Sequence, residues 1–430
     1  MRRYEEYKDS GVDWISSIPE NWLLKRVDAI ATIVRGNTAF KKDELLAIGK
    51  YVALQYGKTY KVDEVNQSFN FYVNDEFYKS NQTVKQGDTI LISTSETIED
   101  LGHTCYYNRT DLGLLGGEQL MLRPNTNLVS PKFLYYFSKY YRNEIKKYAT
   151  GLKVYRYNID DLKNIFVPVF SVTEQQAIAK YLDAKTQAID KKVSLLEQKI
   201  ETYKNLKRTL INQTITKGLR SLSEVEMKDS GISWIGQIPQ HWEVKRFKSF
   251  ADTIKGKNLE VFDNQIEGTL PNLSLEYLRN DSVGFEAFVK TNNRNLIVDE
   301  NDLIIVWDGA GVGEILNGKV GVISSTIAKL KFNKSVNAKF FSFIRYDLEY
   351  RLKQIPTGMG IPHLNPHELK NFMCPIPPKS EQEEIAKYLD HKTSTIDAIV
   401  GNIGKQIDTL KQLRKTLIND VVTGKIKVLA

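Results

Sequence analysis

Gly309-Ala310-Gly311-Val312-Gly313 follows the apolar run Leu303-Ile304-Ile305-Val306, where a phosphate-cradling loop would stand. It lacks the full G-x-G-x-x-G spacing, and the corresponding stretch Ser93-Thr94-Ser95-Glu96 has no glycine. Gly313 through Gly318-Lys319 nearly fits a P-loop, but Val320 stands where Ser or Thr must ligate magnesium. Both stretches read as glycine-rich turns. Of the five histidines, only His363 and His367 have the spacing of a two-ligand helical face, and Pro366 interrupts it. Glu243-Val244-Lys245 has the form of an E-x-K nuclease element, yet its counterpart Leu23-Leu24-Lys25 lacks the acid. No Asn-Pro-Pro-aromatic or Asp-Pro-Pro-aromatic motif for amino-group methylation occurs. The expectation is a chain with no catalytic residues, no cofactor and no metal of its own.

Binding is the chemistry that remains. Basic residues alternate with Asn, Thr and Tyr in loop-like segments, and such side chains suit hydrogen bonding to base edges and phosphates. The first set is Arg35, Asn37 and Thr38 with Lys41 and Lys42; its later counterpart is Lys255, Lys257 and Asn258. A second set is Lys146 and Lys147 with Lys153, Tyr155 and Arg156. These are the candidate DNA contacts, each weighed against an ordinary solvated loop.

The elements that must position them come from a repeat. Residues 8–26 return at 228–246, an offset of 220, with 11 of 19 positions identical, including Lys-Asp-Ser-Gly, Ile-Pro-x-x-Trp and Lys-Arg. Residues 174–216 return at 381–423, an offset of 207, with 22 of 43 identical. Between these blocks the two copies share little: the frame is the same and the filling differs. Each filling mixes strand-like runs (Thr89-Ile90-Leu91-Ile92, Leu303-Ile304-Ile305-Val306) with a helical stretch near Lys132 or Lys339.

The second block reads as a long helix. Thr173-x-x-Gln176 and Ser380-x-x-Glu383 fit capping boxes. Apolar residues at 182, 189, 193, 196, 200, 203 and 210 form an a/d seam, matched by 389, 396, 400, 403, 407, 410 and 417. Lys207 and Arg414 break it at the same place in each copy, and Gly401 and Gly404 suggest a tight helix contact. Each helix then needs an apolar partner. Two equal units satisfy one another most simply about a pseudo-twofold axis, with the helices antiparallel; packing of each helix on its own module is the alternative. The expected fold is α+β: two mixed α/β domains in pseudo-twofold arrangement, joined by two long antiparallel coiled-coil helices.

With 430 residues, 41% of them hydrophobic, the chain can hold at least two cores. Its net charge of +8 divides as +2 over 1–170, +5 over 171–222, −1 over 223–377 and +2 over 378–430, so the excess lies mainly on the helices. Two cysteines make no disulfide framework, and no apolar run approaches a membrane span of ~18 residues. The expected compartment is the cytoplasm.

Together the repeated Lys-Asp-Ser-Gly…Ile-Pro-x-x-Trp block and the two Glu-Gln…Ile-Ala-Lys-Tyr-Leu-Asp helices resemble the specificity subunit of type I restriction–modification systems, over the whole chain. The resemblance implies target-recognition domains at 1–170 and 223–377, each reading one half of a bipartite duplex DNA site. It implies a central spacer helix at 171–222 and a C-terminal one at 378–430. Two modification (methyltransferase) subunits would dock on the repeated blocks, and restriction (endonuclease/translocase) subunits would join them. S-adenosylmethionine, ATP and magnesium would belong to those partners. A scaffold whose modules bind peptides, and a nuclease or methyltransferase acting alone, are the competing readings.

Overall fold

The computed structural model describes residues 3–428 except 220–224, 234, 281, 286 and 359. The expected domain limit at 222/223 lies outside the described residues. The chain divides into two compact units, Met1–Glu197 with Gly404–Ala430, and Gln198–Ile403. The division cuts both long helices, Val172–Lys217 and Lys379–Val422, so each unit holds part of each.

In the first unit a five-stranded sheet runs in the order Ala31–Arg35, Gln119–Pro124, Thr89–Ile92, Thr104–Tyr107, Glu64–Val65. A four-stranded sheet orders Tyr72–Val73, Tyr51–Leu54, Gly113–Leu115, Thr83–Val84. In the second unit, Ala251–Lys255, Ile327–Phe332, Leu303–Val306 and Ile315–Asn317 repeat the order of the first four strands of that five-stranded sheet. The central strands Thr89–Ile92 and Leu303–Val306 are buried at every position, as continuous apolar strands covered on both faces must be. A helix packs beside each sheet, Pro131–Ile145 or Ala338–Gln354. Both units are mixed α/β.

The frame blocks close each core. Trp22 and Trp242, the last aromatics of the first repeated block, are fully buried. In the first unit Trp22, Phe133 and Phe137 share a cluster with Ile178 and Leu182 of the first long helix and Leu417, Ile418, Val421 and Val422 of the second. In the second unit Trp242, Phe340 and Phe341 share one with Ile385 and Leu389 of the second helix and Ile211 and Ile215 of the first. Thus each core is completed by the start of one long helix and the end of the other. Burying a Leu, Ile or Val side chain contributes about 1.5–3 kcal/mol, so four such residues hold a helix end firmly. Within each unit the two helical segments run antiparallel. In the first, Asp190 and Glu197 meet Arg414 and Lys411; in the second, Lys207 meets Asp397.

Two expectations about the helices change. Thr173 and Ser380 are not caps but lie inside the first turn. Ser171 Oγ accepts the Glu174 N–H at 3.2 Å instead. The fully buried Gln175 and Gln382 tie each start to its module. Gln175 Nε2 donates to the carbonyls of Phe170 and Leu128, and its Oε1 accepts the Ser130 N–H at 2.8 Å. Gln382 does the same with Pro377, Ser335 and Asn337. Gly401 and Gly404 also make no tight contact, since a Cβ at either would meet nothing within 4 Å. Nothing in the structure explains these two glycines.

Candidate nucleic-acid interface

Arg35, Asn37, Thr38 and Lys42 line an open cleft of about 720 Å³ in the first unit, facing Gln55–Lys61 and Gly116–Glu118. Its walls are held by buried amides. Gln82 Oε1 accepts the Asn37 N–H at 2.9 Å while its Nε2 donates to Arg35 O. Gln119 accepts from Thr59 and donates to Leu54 O. The backbone approaches closely as well: a Cβ on Gly36 would sit 1.8 Å from Gly116 O, so only glycine fits. A loop fixed this way presents side chains at little ordering cost.

Cations dominate the cleft. Arg35, Lys42, Lys58 and Lys61 line it against one acid, Glu118. Lys58 lies over the Phe71 ring and Lys61 over Tyr60, and Tyr60 stacks on Tyr56. Basic side chains beside aromatic faces suit phosphates and bases together. Thr38 is the exception, because its side chain is buried, and its carbonyl accepts the Gly117 N–H at 2.7 Å. The Asn37 side-chain oxygen Oδ1 already accepts from Lys79. Lys41 is exposed beside the cleft without lining it.

The second set divides. Tyr155–Arg156 pairs with Thr94–Ser95, and Tyr56 Oη reaches Ser95 Oγ at 3.5 Å, which joins this hairpin to the cleft. Lys153 and Arg156 are exposed on it. Lys146 lies elsewhere, in a smaller pocket of about 350 Å³ with Arg142, Lys411, Arg414 and Lys415. Lys146 and Arg142 both donate to Glu99 O, and Lys147 pairs with Glu144. Burial, with Arg142 and Lys415 nearby, lowers the Lys146 pKa.

In the second unit Lys255 occupies the strand end that Arg35 occupies in the first, and Lys257 and Asn258 follow it, both exposed. Lys255 Nζ donates to Asp308 Oδ2 at 2.8 Å, and His363 Nδ1 lies 2.6 Å from Asp308 Oδ1. Burial alone would raise the Asp308 carboxyl, but Lys255 and His363 outweigh it and hold its pKa below the ordinary value. Asn258 accepts from Ser325. Asp308 and His363 were not among the candidates. The offset of 207 does pair His363 with Arg156, and Asp308 stands beside the glycine-rich run first read as a turn. That run is a turn, with Gly309 N–H bonded to Pro362 O and Gly313 packed on Leu352.

A family model described as the type I restriction modification DNA specificity domain matches residues 19–202 and again 239–409. The chain belongs to this specificity family. A putative type I restriction enzyme MjaX specificity subunit of Methanocaldococcus jannaschii is 25% identical over 96% of each chain. The MjaVIII specificity subunit of the same organism is 40% identical over 44% of this chain and 43% of its own length. The EcoKI specificity subunit of Escherichia coli K12 is 20% identical over 95% of this chain and 90% of that protein. Among solved structures, a chain from a study of type I R-M complex assembly and conformational transition matches with TM-score 0.73 at 16% identity, covering 95% of this chain and 99% of that one. The HsdS subunit from Thermoanaerobacter tengcongensis matches with TM-score 0.54 at 17% identity, covering 95% and 98%. These matches show the fold, and the family is one of DNA-specificity components rather than catalysts. Among the described residues no helix is long and apolar enough to cross a membrane.

Proposed function

We propose that this chain is the non-catalytic DNA-specificity subunit of a type I restriction–modification complex, with modules 1–170 and 223–377 each reading one half of a bipartite duplex target. The observation that carries this reading is the double family match laid over one frame with two fillings. The frame has a structural purpose, because it closes each core around two helix ends. The fillings carry the exposed basic cleft in one unit and the Lys255–Asp308–His363 group in the other.

On this reading the long helices set the spacing between half-sites, and the repeated blocks dock two modification subunits. Those partners carry S-adenosylmethionine, and the restriction subunits carry ATP and magnesium. Footprinting of the assembled complex tests it: two protected half-sites with a fixed unprotected gap are expected. One continuous or sequence-independent footprint would overturn it and favour a scaffold.

A further inference from the structure

Inside the two fillings one corner keeps the same backbone pairing in both units. In the first, Arg156 pairs across the backbone with Thr94 and with Thr150, and the Tyr157 N–H bonds Ser93 O. In the second, His363 bridges to Asp308 and to Thr357, and the Leu364 N–H bonds Trp307 O. Strand ends Arg35 and Lys255 complete the correspondence. At three matching positions the side chains are therefore Arg35, Thr94 and Arg156 in one module, and Lys255, Asp308 and His363 in the other.

The second group does not hold the corner together. The first unit keeps the same backbone pairing with Thr94 buried and, among the described residues, no ion pair on Arg35 or Arg156. Its hairpin needs no carboxylate, so the carboxylate in the second unit belongs to the filling. In the second group the side chains of Lys255 and His363 are 44% and 50% exposed and that of Asp308 18%, and each Asp308 oxygen, with one partner, keeps room for a second donor.

The chemistry of the two sets differs in kind. Arg35 and Arg156 offer donors only, which match the O6 and N7 acceptors of guanine. Lys255 and Asp308 set a donor next to an acceptor. In the major groove a G·C pair presents the guanine O6 acceptor beside the cytosine N4 donor, the complement of that order. A T·A pair shows the same order through thymine O4 and the adenine amino group, so the choice of G·C rests on the side-chain pairings themselves: a lysine suits guanine, and a carboxylate suits the cytosine amino group.

We propose that this corner is the base-reading station of each module, and that in the second module Asp308 accepts from a cytosine amino group while Lys255 donates to the paired guanine. The inference rests on the reading of the modules as half-site readers. His363 holds Asp308 Oδ1, the oxygen that Lys255 does not bond, and so restrains the carboxylate. In the first module the same station reads guanine through Arg156 and Arg35.

The test is methylation-site sequencing of DNA modified by the full chain assembled with its modification subunits. The half-site of the second module is identified by exchanging residues 247–370. That half-site is expected to contain a fixed G·C pair. Asp308→Asn should move the preference at that one pair toward A·T, since Asn suits adenine, by roughly ten- to hundredfold. The first half-site and the gap should stay unchanged. Lys255→Met, which leaves the acceptor in place, should relax the same pair and no other, so the test survives a poorly folding Asp308 variant. An unchanged motif for both variants, a change at different base pairs, or a half-site fixed only at A·T pairs would overturn the proposal. A wild-type complex with no two-part motif would instead sink the half-site reading itself.

Discussion

Arg414 of the second long helix lies 2.9 Å from Asp190 of the first. Its counterpart by the offset of 207 is Lys207, which lies 2.6 Å from Asp397, the counterpart of Asp190. The two residues that interrupt the apolar seam therefore each tie one helix to the other by charge, once in each unit. In the first unit Arg414 also donates to Asp63 at 2.9 Å, which anchors the helix to the module.

That anchor makes the first unit sensitive to acid. Burial alone would raise the Asp63 carboxyl, but Lys139 at 2.7 Å and Arg414 outweigh it and hold its pKa at about 2. An unfolded Asp titrates near ~3.9. A carboxyl depressed in the folded state stabilises fully above its unfolded value and loses that contribution as pH falls toward the folded one. Wild type should therefore melt above Asp63→Asn at pH 6, and the gap should close between about pH 4 and pH 2. Thermal melts across that range check it; a gap that persists at pH 2 would contradict the pairing.

Gln175 and Gln382 should prove costly to replace. Leu at either position leaves a backbone N–H without its acceptor, the buried one of Ser130 or the half-buried one of Asn337, at about 1–3 kcal/mol. Urea denaturation should show a lower midpoint for Gln175→Leu and Gln382→Leu. The exposed neighbour Gln176→Leu should shift it little.

Glycines divide into two kinds. Gly424 has φ +76°, and a Cβ there would lie 2.5 Å from Pro19. Gly424→Ala should destabilise the first unit by at least about 1–2 kcal/mol, the cost of a left-handed L-residue. Gly401 and Gly404, helical and facing open space, should instead gain about 0.5–1 kcal/mol on replacement by Ala. Melting temperatures of the three variants separate the cases, and a loss at Gly404→Ala would show an unrecognised contact.

Much of this was legible from the repeat. The offsets of 220 and 207 marked the frame, and the seam marked both helices. The seam alone does not say which core takes a helix end. The side chains that decide it, Ile418 or Ile215, look the same whichever tryptophan they meet. Thr173 and Ser380 do not cap because a polar residue near a helix start can cap only if the chain turns there, and the buried glutamines fix that turn two residues earlier. Of the candidate contacts, Arg35–Lys42 and Lys153–Arg156 converge through Tyr56 and Ser95, which pairs with Tyr155. Lys146 and Lys147 do not, since the helix carrying them turns them toward Glu99 and Glu144. Asp308 was missed because a lone carboxylate beside glycines carries no motif; only its pairing with His363 in space marks it.

The spacing role proposed for the long helices has its own consequence. Four extra residues in each, after Lys192 and after Ile399, add about 6 Å of helix. The gap between half-sites should widen while both half-sites keep their sequence. An unchanged gap in the methylated motif would show that the helices do not set it.

Module exchange tests the central claim most directly. Residues 27–165 are replaced by the corresponding segment of another specificity subunit, and the methylated motif of the assembled complex is sequenced before and after. One half-site should change, while the other half-site and the gap stay as they were. A change in both half-sites, or in neither, would contradict it.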